Sequence, residues 1–303
     1  GFQRSAAFPL LVTGPTGMTF NFADCGHHAG VTPALYWFAN RWNDSGILWF
    51  DQRALRKTLA KEEEATSRFL SFLLLWRDGA PVSEPRQPLH WKGESTNPIA
   101  VHRSSWTDSN AAFLAIKGGT PGSNHGHMDA GSFIFDADGV RWALDFGSQS
   151  YYGLESRGLD LWNRKQHSDR WKVFRYTNRA HNTILVDGAE QKVTATSVIA
   201  GFSAAPEFPF TIVDLSEIYS EQLAQAKRGV TLLPSRQVLI QDEVAAKDAS
   251  ADVRWAMNTP GEPTETTSNA TILVQDGQRL RFEILSPPDA VLETFSTDPP
   301  NAW

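Results

Sequence analysis

The hydrophobic period of the chain changes across residues 78–98, and this change limits the fold more than any other feature. The stretch carries Pro81, Pro85, Pro88 and Pro98 among polar residues and reads as a linker or crossing segment. Before it the pattern is helical. Pro33 leads a segment with Leu35, Phe38, Ala39 and Trp42 on one side, and residues 51–76 are rich in Ala, Leu, Lys and Glu without Gly or Pro. The apolar end of that segment, with Phe69, Leu70, Leu73, Leu74 and Trp76, is expected to be buried. Its charged run at 61–64 reads as a solvated face. After the linker the pattern becomes short β segments, at 111–117, 132–136, 140–145, 183–187, 210–215, 229–233, 237–242, 253–257, 271–275 and 280–285. Asp138-Gly139 between two of them is a two-residue hairpin turn. Many short strands with almost no helical period predict an antiparallel β-sandwich. The expected fold is mainly β with an N-terminal helical portion: helices over 1–77, a linker over 78–98 and a sandwich over 99–303.

An apolar fraction of 41% in 303 residues supports a sizeable core. The net charge of −6 argues against nucleic acid as the main partner. Cys25 is the only cysteine, so no internal disulfide can form. No apolar run approaches the roughly 18 residues of a membrane span, and membrane insertion is not expected. The start at Gly1 suggests a processed end, with a signal peptide and an upstream domain removed. A homodimer is compatible with the sequence. The eleven tryptophans offer sugar-stacking faces, although such rings are more often core or interface.

The chemistry concentrates in N-H-G-H-M-D-A-G-S-F at 124–133, in W-A-L-D-F-G around Asp145 and in R-A-H-N-T-I-L-V-D-G around His181. On a strand, His125 and His127 would project from one face. The hairpin at Asp138-Gly139, continued without a bulge, would bring 150–152 opposite them, gathering His125, His127, Asp145 and Tyr151 or Tyr152 in one patch. His181 would arrive from a separate strand. Two imidazoles and a carboxylate suit zinc. The same residues also read as polar loop histidines, a strand-end cap and a hydrogen-bonded core histidine. Asp129 reads as a turn residue or an outer acceptor rather than a ligand.

Across K-G-G-T-P-G-S-N-H-G-H-M-D-A-G-S-F, V-R-W-A-L-D-F-G-S-Q-S-Y-Y and R-A-H-N-T-I-L-V-D-G the chain resembles the heparinase II/III-like polysaccharide lyases. V-D-L-S-E-I-Y and V-L-I-Q-D-E-V extend the likeness more weakly, and upstream G-P-T-G-M-T-F-N-F-A-D-C resembles the end of that family's helical toroid. The resemblance implies an incomplete α/α toroid followed by an antiparallel β-sandwich, with substrate in the cleft between them. It implies zinc at His127, Asp145 and His181, His125 facing the sugar, and Tyr151 or Tyr152 approaching the site. The implied reaction is β-elimination at a uronic acid in an acidic polysaccharide such as heparin, heparan sulfate or alginate, catalysed by a bacterial periplasmic or secreted enzyme.

The family's principal tyrosine-bearing wall falls, by motif order, upstream of Gly1. This chain is therefore expected to be a piece of a lyase, inactive by itself. Arg103 and Arg175 are candidates to meet a substrate carboxylate or sulfate, and Trp106, Trp162 and Trp171 are candidate sugar platforms. His27 and His28 would line the cleft or face solvent. Two other functions compete. One is a non-catalytic carbohydrate-binding sandwich with structural zinc; the other is a hydrolytic zinc enzyme in which Asp129 or another acid activates water.

Overall fold

A computed structural model describes residues 5–28, 30–60, 70–76, 79, 81–295 and 297. The helical portion contains α1 (Phe8–Leu11), α2 (Pro33–Trp42), a 3-10 turn (Ser45–Leu48), α3 (Trp49–Leu59) and α4 (Leu70–Trp76). The proline of α2 lies in its first turn, where an N–H would be unpaired anyway, and the helix ends on Asn43 in the left-handed region. Its buried Leu35, Tyr36, Phe38 and Ala39 pack with Ile47, Leu48, Leu55 and Leu73. Asp51 accepts the Thr32 N–H at 2.7 Å, and burial pushes its carboxyl up to about 6. In α4 Leu73 is buried and Trp76 half-buried, as expected of this apolar end, while Phe72 and Leu75 face outward; the side chains of Leu70 and Leu74 lie outside those described. The charged run at 61–64, together with Phe69, lies outside the described residues, as do 77 and 78.

Four antiparallel sheets follow among the described residues. The first runs β1 (His90–Gly93), β2 (Ile99–Arg103), β3 (Phe113–Lys117), β4 (Phe133–Ala137), β5 (Val140–Ala143) in spatial order. The second orders β10 (Val238–Ala246), β9 (Leu223–Leu232), β8 (Phe210–Asp214), β7 (Val198–Ser203). β6 (Ile184–Val186) pairs with β11 (Val253–Trp255), and β12 (Glu262–Thr264), β13 (Ala270–Gln275) and β14 (Gln278–Glu283) form the last sheet. One core joins Leu114, Ile116, Phe133 and Trp142 to Val213 and Val230 of the opposing sheet. On the other face of the first sheet, Val101, Phe113 and Ile134 pack with Val12 and Phe20. Strands β2, β3 and β4 are buried throughout because both faces are covered.

The segment expected to be a linker carries β1, whose His90 faces His102 across the ladder, so the sheet begins before residue 99. Asp138 and Gly139 both take positive φ between paired Ala137 and Val140, as a two-residue hairpin requires. A bulge between Phe135 and Asp136 shifts the register, so the bulge-free alignment does not occur.

Residues 11–28 are fastened to the sandwich by polar contacts. Arg103 donates to the Leu11 and Thr13 carbonyls at 2.9 and 3.1 Å. Arg141, paired with Asp136, donates to the carbonyls of Thr19 and Met18 at 2.8 and 3.0 Å. Asn21 donates to the Asp145 carbonyl at 2.9 Å, and the Thr16 hydroxyl to Asp136 at 2.6 Å. Gly14 permits this approach, since a Cβ there would lie 2.2 Å from the Asp136 carboxylate. A bridge between Met18 and His28 closes the segment into a narrow lobe carrying Asp24 near its turn.

Candidate active site

His125 and His127 lie on the loop between β3 and β4, not on a strand. His125 adopts φ of 56° and Gly126 donates its N–H to Ser123 in a tight turn. The two rings nevertheless meet at one carboxylate, that of Asp24. His125 Nδ1 lies 2.7 Å from Asp24 Oδ2, and His127 Nε2 lies 2.9 Å from Oδ1. After β5 the chain turns into a short helix, α5 (Tyr151–Glu155), in which the Ser150 hydroxyl accepts the Gly153 N–H. This helix separates the two tyrosines. Tyr151 donates its hydroxyl to Asp24 Oδ2 at 2.6 Å and sits 3.3 Å from His125 Nδ1, whereas Tyr152 points to solvent at 83% exposure.

Arg170 completes the cluster from a 3-10 turn (Asp169–Lys172). Its buried guanidinium donates to Tyr151 Oη at 3.1 Å and to the Gly126 carbonyl at 2.8 Å, and approaches Asp24 Oδ1 at 3.9 Å. Burial alone would raise the Asp24 carboxyl, but the bonds from His127, Tyr151 and His125 outweigh it and hold the group at about 2. Burial, together with the bond to that carboxylate, pushes the Tyr151 phenol upward, so it stays protonated at neutral pH. Burial lowers His127 against the opposing pull of Asp24.

Sequence reasoning singled out neither Asp24 nor Arg170. Asp24 stood within the upstream motif as a neighbour of His27 and His28, and nothing local marks it as an acceptor for groups more than a hundred residues later. Arg170 is a lone basic residue beside Trp171, with no signal of its own.

Behind this cluster, His181 Nδ1 lies 2.5 Å from Asp145 Oδ2, while Asp145 Oδ1 accepts the Gly147 N–H at 2.8 Å. Burial opposes protonation of His181, and Asp145 reverses the balance and raises it. The His127 and His181 rings are 5.3 Å apart. His127 Nδ1 and His181 Nε2 are both buried without a hydrogen-bond partner, as two nitrogens awaiting a metal would be. Asp145 is turned toward His181, and among the described residues no three His, Cys, Asp or Glu side chains converge as a metal site.

The remaining candidates separate by environment. Arg103 is buried, with its guanidinium 3.6 Å from the Trp106 ring centroid and its donors on backbone carbonyls, so it holds the fold and does not face substrate. Arg175 is exposed and donates to the Phe146 carbonyl at 3.1 Å, on the loop that leads to α5. Asp129 is engaged by Lys117 Nζ at 2.5 Å and by the Ala23 N–H at 2.9 Å, which leaves it poorly placed to activate water. Trp106 and Trp171 donate to backbone carbonyls from within the fold, and Trp162 is exposed beside His125. His27 and His28 meet edge to face at the base of the Asp24 lobe.

Residues 99–299 match the family model described as "Heparinase II/III-like, C-terminal". No match is found among curated proteins. Among solved structures, the fold matches heparan sulfate lyase HepC from Pedobacter heparinus with a TM-score of 0.63 and 17% identity, covering 90% of this chain and 37% of that one. A heparinase III, the BT4657 gene product, aligns with a TM-score of 0.60 and 18% identity over 92% of this chain and 38% of its own. Another heparinase III gives 0.62 at 12% identity, with 93% and 45% covered. The chain thus spans less than half the length of each of these enzymes.

Proposed function

The chain belongs to the heparinase II/III-like family through its C-terminal region, and from that premise we propose that it supplies one wall of a uronate lyase that cleaves an acidic polysaccharide by β-elimination. The observation that carries this reading is the convergence of His125, His127, Tyr151 and Arg170 on the Asp24 carboxylate. The elimination needs a base for the C5 proton, which is acidic because it lies α to the C6 carboxylate, and an acid for the oxygen leaving C4. Ionised Asp24 can only accept, so His125 donates through Nδ1 and keeps its lone pair on Nε2. The side chain is 48% exposed, within reach of a sugar.

In this mechanism His125 Nε2 removes the C5 proton, the C4–C5 double bond forms, the C4–O bond breaks and Tyr151 protonates the departing oxygen. Arg170, bonded to the phenol oxygen, steadies the phenolate left behind. Arg175 is proposed to neutralise the C6 carboxylate. Zinc is proposed between His127 Nδ1 and His181 Nε2; Asp145, expected as the third ligand, is instead bonded to His181 Nδ1 and would hold that ring from behind. The metal would supply a fixed positive charge that locks the two rings, and no step passes through it. The similarity to a heparan sulfate lyase and to heparinase III favours heparan sulfate over alginate as substrate. No helix among the described residues is long and apolar enough to cross a membrane, and export to the periplasm or medium is part of the proposal.

The test is ultraviolet detection of unsaturated uronate when the full polypeptide carrying this sequence meets heparin, heparan sulfate and alginate. His125→Ala should abolish product, and Tyr151→Phe should lower the rate about a hundredfold. Undiminished elimination by His125→Ala would overturn the mechanism.

A further inference from the structure

Trp162 is 57% exposed, yet its ring is held from three sides. Its Nε1–H donates to Glu155 Oε1 at 2.8 Å. It meets the His125 ring in a T-shaped arrangement at 5.6 Å with planes at 80°, and the Tyr151 ring likewise at 5.5 Å with planes at 68°. Such an indole adds nothing to the core, unlike neighbouring Trp171, which is buried. A largely exposed indole fixed beside two polar rings suits a pyranose, whose axial C–H groups pack on aromatic surfaces while its hydroxyls remain wet.

The surroundings select the charge of that sugar. Residues 155–172 hold five Lys and Arg against three Asp and Glu, in a chain of net charge −6. Exposed Arg164, two positions after the tryptophan, donates to the Gly122 carbonyl at 2.9 Å and so stands on the loop that carries His125. We propose that Trp162 is the stacking platform for the sugar next to the reacting unit, and that this sugar is anionic, its sulfate or carboxylate meeting Arg164. The assignment of a neighbouring unit rests on the lyase reading above; the platform itself does not.

A carboxyl-reduced heparan sulfate hexasaccharide separates the two, because it keeps its sulfates but has no acidic C5 proton to lose. Its binding to the full polypeptide is measured by calorimetry, with kcat and KM on unmodified heparan sulfate in parallel. Trp162→Ala should weaken binding of the reduced probe about tenfold and raise KM similarly, with kcat within about twofold. Trp162→Phe, which keeps a ring, should stay within about threefold, and Arg164→Gln should lose about threefold and flatten the salt dependence. Tight probe binding that depends on Trp162, in a protein without elimination activity, would uphold the platform and sink the lyase. Failure of the parent protein to bind the probe, or a Trp162→Ala affinity within about twofold of it, would overturn the platform.

Discussion

Asp24→Asn probes the cluster at its centre. The carboxylate accepts hydrogen bonds from His125, His127 and Tyr151 and is held at about 2, against an ordinary value of 3.8. At about 1.4 kcal/mol per pKa unit, the depression corresponds to about 2.5 kcal/mol of folding stability. With the side chain only 19% exposed, solvent screening trims this modestly, to about 2 kcal/mol. Because the folded value is depressed, the contribution is complete above pH 3.8 and fades as pH falls through about 2. At pH 7, urea denaturation followed by tryptophan fluorescence should find Asp24→Asn less stable by about 2 kcal/mol with an unchanged m-value. Elimination should also fall by about a hundredfold or more, since Asn has one acceptor oxygen in place of two and cannot receive both His127 and the His125–Tyr151 pair. A variant as stable and as active as the parent would show that Asp24 neither anchors the cluster nor sets the state of His125.

Lys117→Met would leave the fully buried Asp129 without its cation and should cost about 3–5 kcal/mol in the same denaturation assay; a loss below about 1 kcal/mol would mean that Ala23 and solvent suffice. Burial, with His90 facing it, holds His102 at about 3, so the unfolded chain takes up this proton first as pH falls below 6.5. Stability should therefore decline by about 1.4 kcal/mol per pH unit from there toward pH 3, and His102→Leu should lessen that slope; an unaltered slope refutes the assignment. Elemental analysis should find about one zinc per chain, lost in His181→Ala and on chelation, with a fall in melting temperature. Metal-free protein with an unchanged melting temperature would remove zinc from the proposal.

The strands legible in the sequence are those whose burial makes them uniformly apolar or that flank an obvious turn. Phe113–Lys117, Phe133–Ala137 and Val140–Ala143 lie where the pattern puts them. His90–Gly93 was hidden because prolines bracket it, and Val198–Ser203 because Gly201 interrupts it at a bulge. β9 and β10 run longer than their apolar centres because charged residues continue the ladder, and the buried Arg228 is tolerated there through its pairing with Asp242 at 2.7 Å. Such a pair gives no local hydrophobic signal.

The site shows a sharper division. Residue types and motif order selected His125, His127, Asp145, Tyr151 and His181, whereas the geometric reason offered for gathering them, strand alternation extended along an unbroken hairpin, is replaced by a loop, a bulge and a helix. What gathers His125, His127 and Tyr151 is a carboxylate from the N-terminal lobe. That carboxylate is positioned from its own side by Arg103, Arg141 and Asn21, which fasten residues 11–21 to the sandwich, and by Asp129, which accepts the Ala23 N–H. The arrangement of the histidines is therefore coupled to docking of the lobe on the sandwich. Lys117 belongs to this coupling although it touches no proposed catalytic group, because its ion pair with Asp129 fixes the carboxylate that holds the residue before Asp24. A substitution that loosens the dock should disorder His125 and Tyr151 before it unfolds the sheet, and activity should be lost at lower denaturant than tryptophan fluorescence.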